Sequence, residues 1–173
     1  MRKLPFLLLD AGPIIKLFEL GMWEAFIEKC DVTICRIVAN EAKWASQDFE
    51  DIRIDLDSYE QRGLINVEDV DLRLVRNFCD KLKLGHKESI HDGEKETLAF
   101  LCGVSGDWRL CAADGAVFRV LGLLGRGEQG ISLEEILKEI GLWQDMERHY
   151  TKRFREEHTR RGQIECVQDG GCA

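Results

Sequence analysis

The chain lacks a long hydrophobic run: no stretch approaches the ~20 apolar residues of a membrane-spanning helix. Its start, Met1-Arg2-Lys3 before an apolar run of strand length, has no small-residue cleavage site, so no signal peptide is expected. Internal repeats and low-complexity segments are also absent. A chain of 173 residues that is 45% hydrophobic predicts one domain with a real core and at most an appendage.

Net positive charge is missing too, because the formal charge at pH 7 is −8. A protein that holds duplex nucleic acid by neutralising phosphates alone is usually basic, so the composition argues against that mode. It remains compatible with an enzyme that meets phosphates through a metal ion, since a hard cation requires several carboxylates.

Paired cysteines are the third absence. The seven cysteines are scattered and include no Cys-x-x-Cys pair, which argues against a zinc site or a disulfide scaffold. Cys35 and Cys111 lie in apolar, strand-like runs and are predicted to be buried thiols. This usage fits a reducing cytoplasm.

Short apolar runs alternate with amphipathic segments along the chain. Strands are predicted at residues 5–9, 32–37, 64–67 and 108–113, with at most a short strand at 123–124. Helices are predicted at residues 14–29 with a break at Gly21, and at 38–45, 69–84, 93–104, 114–121, 131–140 and 143–161. Residues 47–61 are polar and form a loop or a helical excursion. The alternation predicts an α/β fold with a mostly parallel sheet.

Three segments are predicted. Residues 1–142 form the domain, residues 143–161 a basic C-terminal helix, and residues 162–173 a disordered tail. The basic side chains of the helix either hold an RNA backbone or form a solvated face. Within the domain, Ser132 and Glu135 have the spacing of a capping box.

Asp10 closes the first apolar run and is followed by Gly12 and Pro13. Proline suits the first turn of a helix, so Asp10 is expected at the carboxyl end of a central strand, just before a helix. Ligands of open parallel sheets bind at that edge. Alternatively, Asp10 only caps the helix that follows.

Three more acids occupy comparable positions. Glu41 has apolar neighbours at helical spacing and is expected on a buried stripe, unless the helix phase differs and the side chain is solvated. Glu94 is expected to face the sheet from the first turn of its helix, or else to be a favourable charge at the helix amino end. Asp114 follows a strand and either faces the same edge or caps the next helix. Glu96 lies about 200° from Glu94 around the helix, so both cannot face one site.

Acids gathered at one edge repel one another and raise each other's pKa, and a divalent cation is the simplest remedy. We therefore expect a metal site built from four acids: Asp10, Glu41, Glu94 and Asp114. No histidine is needed as a base. Loop or surface positions are expected for His86, His91, His149 and His158.

The order and spacing of these motifs resemble the PIN-domain family over roughly residues 4–140. The matching pieces are the apolar run before Asp10-Ala11-Gly12-Pro13, then Val38-Ala39-Asn40-Glu41, Gly93-Glu94-Lys95-Glu96-Thr97-Leu98-Ala99, and Leu110-Cys111-Ala112-Ala113-Asp114 with Arg119 and Gly122-Leu123 beyond. The resemblance implies a three-layer α/β/α sandwich, a pocket of acids that binds Mg²⁺ or Mn²⁺, and hydrolysis of RNA phosphodiester bonds. Many such proteins are toxins of toxin–antitoxin modules, often dimers blocked by a small antitoxin protein. By position, the four acids would be the catalytic and metal-binding residues.

Two other functions compete with a nuclease. The family often has Thr or Ser two residues before its last Asp, where this chain has Ala112, and the missing hydroxyl together with the acidic charge fits a non-catalytic PIN-like interaction or scaffold protein. A phosphatase of the haloacid dehalogenase type also begins with an apolar strand and Asp. That mechanism needs a second Asp two residues later, where this chain has Gly12.

Overall fold

The structure is a computed structural model that describes residues 3–47 and 49–168. Its strands are β1 (Leu4–Leu9), β2 (Cys30–Cys35), β3 (Trp44–Gln47), β4 (Glu50–Arg53), β5 (Asn66–Glu68), β6 (Arg109–Cys111) and β7 (Gly130–Ile131). Its α-helices are α1 (Ala11–Glu19), α2 (Trp23–Lys29), α3 (Arg36–Glu41), α4 (Leu56–Gln61), α5 (Leu72–Asp80), α6 (Leu84–Glu88), α7 (Asp92–Gly103), α8 (Gly115–Leu123), α9 (Leu133–Glu139) and α10 (Lys152–Gln168). None of the described helices is both long and apolar enough to traverse a bilayer.

The central sheet confirms the predicted fold class. Five strands pair in the order β5-β2-β1-β6-β7, and every pairing is parallel. Side chains of a strand alternate between the two faces of a sheet. In β1, Leu7 and Leu9 accordingly enter one hydrophobic core while Leu8 enters the other. The first core contains side chains of α1, α2, α3 and α9, and the second those of α5, α7 and α8, which makes an α/β/α sandwich.

The core also holds the predicted thiols. Cys35 and Cys111 are fully buried and free, as the sequence predicts. Burial raises the pKa of Cys35 to about 12 and raises that of Cys111 well above its usual value, so both remain protonated. Cys166, by contrast, is disulfide-bonded, which the spacing of the cysteines did not predict.

The predicted helix 38–45 is wrong beyond Glu41. Ala42 leaves the helical conformation with ψ of 73°, and Trp44–Gln47 forms β3 instead. β3 pairs with β4 in an antiparallel hairpin, inside the segment predicted as a loop or helical excursion. In β3 exposed Trp44 alternates with buried Ala45, a two-residue period too short to recognise from the sequence.

Two other boundaries differ from prediction. The amphipathic segment 69–84 contains α5 and the first residue of α6, and the Asp71 side chain, which accepts a hydrogen bond from Arg73 N, begins α5. The short strand predicted at residues 123–124 is wrong, since α8 continues to Leu123 and the strand is β7.

The C-terminal helix begins later and ends later than predicted. Residues 143–151 are irregular apart from a 3-10 turn at Arg148–Tyr150, and the hydroxyl of Thr151 accepts a hydrogen bond from Phe154 N at the start of α10. Disorder is wrong for residues 162–168, which are helical, whereas residues 169–173 lie outside the described ranges. The helix continues because Gly162 and Cys166 are buried.

Glycines bring α10 into backbone contact with α8. A Cβ added to Gly162 would overlap the carbonyl oxygen of Arg119, and one added to Gly122 would overlap that of Thr159. Only glycine permits such a close approach of two helices. The position of α10 is therefore fixed by the absence of side chains at the crossing.

Most basic side chains at this end of the chain form ion pairs within the protein. Arg155 forms two hydrogen bonds with Glu135 of α9, and both Arg148 and Arg161 pair with Glu157. Such pairing favours the alternative in which the basic residues serve a solvated face rather than an RNA-binding one.

Candidate functional site

Asp10 lies where the sequence predicts, at the carboxyl edge of the central sheet. Its backbone N–H donates to the carbonyl of Cys111 at 3.0 Å, which holds the end of β1 level with the end of β6. The residue is only 7% exposed, and its carboxylate forms no capping hydrogen bond with α1, so capping does not explain it. Burial raises the pKa of Asp10 to about 6, against the lowering effect of the Ala11 amide, and the charges of Glu41 and Asp114 raise it further.

Glu94 is the second buried acid, 6% exposed in the first turn of α7. Its carboxylate accepts a hydrogen bond from the His91 backbone N–H at 2.8 Å. Burial raises the pKa of Glu94 to about 7; the His91 amide opposes this, and the charges of Asp10 and Asp114 add to it. The carboxylate therefore accepts a hydrogen bond at the amino end of α7 and also interacts electrostatically with Asp10 and Asp114. The helix-end interpretation and the site interpretation of Glu94 each hold in part.

Glu41 belongs to the same neighbourhood but is not buried. It is the last residue of α3, and its side chain is exposed because the helix ends there instead of continuing along an apolar stripe. The expectation of a buried Glu41 is therefore wrong. A Cβ placed on Gly93 would nevertheless lie 2.8 Å from Oε2 of Glu41, so this carboxylate rests against the start of α7, beside Glu94.

Asp114 caps the helix that follows it. The exposed side chain accepts a hydrogen bond from Ala116 N at 2.7 Å, as the capping alternative predicts. Its charge still raises the pKa of Asp10 and of Glu94. The loop before it adjoins α1, where a Cβ on Gly12 would lie 2.9 Å from that of Ala113.

Two of the four acids are thus buried and two exposed, and Asp10 and Glu94 are within electrostatic range of each other and of Asp114. In residues 3–47 and 49–168, however, no three His, Cys, Asp or Glu side chains form a group arranged to hold a metal ion. The arrangement supplies negative charge and oxygen donors of the kind that Mg²⁺ and Mn²⁺ prefer. It does not supply a preformed coordination shell.

Glu96 has a structural role that the sequence did not reveal. Its buried carboxylate accepts a hydrogen bond from Ile37 N at 2.7 Å, and the Val70 amide also lowers its pKa. The first bond satisfies the amino end of α3, the helix that carries Glu41. Glu96 and Glu94 face different partners, as their angular separation predicts.

Glu96→Ala is expected to destabilise the protein by about 2 kcal/mol, because it leaves the Ile37 amide at the start of α3 without its acceptor. Glu96→Gln retains an acceptor oxygen and should cost less. Urea unfolding midpoints measure both. As a control, Glu88→Ala removes an exposed helical acid and should stay within about 0.5 kcal/mol of the wild type. Equal losses for Glu96→Ala and Glu88→Ala would contradict the assigned role.

Two histidines adjoin the four acids. His91 is exposed, as predicted, but its charge lowers the pKa of both Asp10 and Glu94. The imidazole of His158 covers the start of α8, where a Cβ added to Gly115 would overlap it, and its ring lies 4.3 Å from that of Phe154. Only the folded chain brings His158 here, so nothing in its sequence context could signal it.

The segment before α10 also crosses this region. The hydroxyl of Tyr150 donates to the carbonyl of Gly12 at 3.3 Å, and Lys16 of α1 forms an ion pair with Glu147. Together with His158, these contacts place the C-terminal part of the chain along the border of the four acids.

No family model, curated protein or solved structure matches the chain. The resemblance to PIN domains consequently stays a prediction from the order of its motifs. Any function assigned to the chain depends on the geometry and the charge of the four acids.

Proposed function

We propose that the chain is a ribonuclease that hydrolyses RNA phosphodiester bonds with Mg²⁺ or Mn²⁺ held by the four acids. The observation that carries the proposal is the burial of Asp10 and Glu94 at one sheet edge. Neither carboxylate forms a salt bridge with any residue that the structure describes. Buried carboxylates without a cation are costly, and proteins retain them mainly at functional sites.

The donor set fits a hard divalent cation in charge and in atom type, although the side chains do not converge on one point in the described part of the chain. Asp10 and Asp114 would contact the metal directly, and Glu41 and Glu94 would complete the set directly or through water. When bound, such a cation polarises a phosphate oxygen and lowers the pKa of a water molecule.

The remaining chemistry is assigned to the chain's own residues. Glu94, whose pKa of about 7 lies nearest to neutrality, accepts the proton of the attacking water. The backbone N–H of Asp10 donates to the carbonyl of Cys111, and this hydrogen bond fixes the backbone from which the carboxylate projects at the sheet edge. The resemblance extends the proposal to a toxin with a small antitoxin partner and a homodimeric assembly, and the cysteine usage favours a cytoplasmic location.

Cleavage of single-stranded RNA by the wild type is expected with Mn²⁺ and is lost on adding a chelator. Asp114→Asn should reduce the rate by about 100-fold, because it removes a charge from the metal site. Asparagine caps a helix as well as aspartate does, so stability should be retained. Asp92→Asn, which changes an acid paired with Lys95, is the matched control and should cleave normally. Equal rates for Asp114→Asn and the wild type would refute the assignment.

A non-catalytic interaction or scaffold protein is the second candidate. It is favoured by the lack of a three-residue metal group in the described ranges and by Ala112 in place of a hydroxyl residue. Mn²⁺ separates the two candidates, since a ligand that binds only the folded state raises the melting temperature. A scaffold need not gain stability from Mn²⁺, whereas a pocket of mutually repelling acids should.

A further inference from the structure

The hairpin of β3 and β4 exposes aromatic side chains to solvent. Trp44 is 60% exposed and Phe49 is fully exposed, and neither ring contacts another ring in the part of the chain that the structure describes. Trp23 and Trp108, by comparison, lie 5.0 Å from Phe18 and 5.2 Å from Phe6 between ring centroids. An aromatic ring left without such packing has a free face for a ligand.

Trp44 lies close to Glu41, one of the four acids. It follows Glu41 by three residues, so their Cα atoms are at most ~11 Å apart. β3 contacts α1, and Gln47 reaches Gly21 just beyond the far end of that helix. Trp44, at the opposite end of β3, is therefore nearer to the start of α1, the helix that follows Asp10.

Two cations flank the tryptophan. Arg53 is directly opposite Trp44 in the hairpin, and Lys43 precedes it. Directly opposite residues project from the same face of a hairpin about 5 Å apart. Neither cation forms a salt bridge within the described ranges, unlike Arg36, whose guanidinium is shared among three acids. The hairpin thus places a free aromatic face beside the guanidinium of Arg53, unpaired within those ranges, with the carboxylate of Asp51 further along the same face.

We propose that this hairpin binds unpaired nucleotides of single-stranded RNA beside the cleaved phosphodiester, with a base on Trp44 and a phosphate at Arg53. Aromatic faces with nearby cations are the usual means of binding single strands without sequence preference. The inference rests on the proposed nuclease function, which places the scissile phosphate at the four acids. It adds a substrate preference, because bases stacked inside a duplex are closed to Trp44.

Binding of a fluorescein-labelled ten-nucleotide single-stranded RNA, measured by anisotropy in a chelator so that cleavage does not interfere, tests the hairpin directly. Trp44→Ala should raise Kd by about 10-fold or more, and Trp44→Phe should restore most of the affinity. Arg53→Ala should weaken binding and reduce its dependence on salt. Annealing the complementary strand should abolish the difference between wild type and Trp44→Ala. With Mn²⁺, the same variant should raise KM and leave kcat nearly unchanged.

Trp143→Ala is the matched control, since Trp143 is also exposed, at 54%. Trp143 follows α9, and Glu139 of that helix pairs with Arg109 at the start of β6, the end of the strand away from the four acids. An unchanged Kd for Trp44→Ala, or a change matched by Trp143→Ala, overturns the inference. A dimer that Trp44→Ala disrupts, with RNA affinity unchanged, also overturns it and identifies a protein interface. Trp44-dependent binding without any cleavage supports the hairpin and rejects the nuclease. Cleavage with a KM that Trp44→Ala does not change supports the nuclease and rejects the RNA-binding role of the hairpin.

Discussion

Asp10→Asn is expected to abolish Mn²⁺-dependent RNA cleavage while making the metal-free protein more stable at pH 8. The folded protein binds the Asp10 proton more tightly than the unfolded chain, since the pKa rises from 3.8 to about 6. Ionised Asp10 therefore opposes folding, and asparagine resembles the neutral form in shape. A shift of this size corresponds to roughly 3 kcal/mol.

The sign of the pH dependence follows from the same shift. Asp10 favours folding most below pH 4, and its contribution declines as the pH rises toward 6 and is then constant. The pKa of Glu94 is likewise raised, from 4.5 to about 7, so ionised Glu94 also opposes folding as the pH rises. Glu147 and Glu134 act oppositely, because Lys16 and Lys138 lower their pKa, so their stabilisation is lost in acid. The effects of these other acids are the same in both proteins, so the difference in stability between Asp10→Asn and the wild type reports on Asp10 alone.

Melting temperatures of both proteins at pH 5 and pH 8 in a chelator measure this difference. The variant should exceed the wild type at pH 8 by several degrees, and the gap should narrow at pH 5. Mn²⁺ should raise the melting temperature of the wild type only. If Asp10→Asn melts below the wild type at pH 8 and still cleaves RNA, Asp10 is an ordinary structural residue.

Gly162→Ala is expected to cost about 3 kcal/mol, since the new methyl group would overlap the carbonyl oxygen of Arg119. Backbone cannot move aside as a flexible side chain can, so α10 must separate from α8. The separation also removes the contact between His158 and Gly115, beside the four acids. The midpoint and slope of urea unfolding measure the loss.

Gly85→Ala is the matched control for this substitution. Gly85 lies in α6 with open space around its Cα, so alanine should be neutral or stabilise by up to ~1 kcal/mol. Similar destabilisation by both substitutions would show that helical glycines here matter for backbone freedom and not for contact.

The sequence was most informative where one local signal had one meaning. The apolar run ending at Asp10 predicts a central strand, and the structure confirms both the strand and the edge position. Ser132 and Glu135 form the predicted capping box. The pattern around Glu41 was less informative, because neither glycine nor proline marks the end of α3.

Long-range contacts account for the remaining differences. Gly162 favours a helix end in isolation, yet the structure uses it for the approach to α8. The Asp114 side chain caps α8, and its local sequence permits either capping or a site role. Whether the four acids converge depends on side-chain positions that no spacing along the chain specifies.

The central place of β1 has a consequence for synthesis on the ribosome. β1 precedes its neighbour β6 along the chain, and β6 is synthesised only after helices α1–α7. Until then one side of β1 has no partner, and an open strand edge invites pairing with other chains. Truncated products that stop before Arg109 should therefore aggregate unless chaperones bind them, with or without substitutions at the four acids.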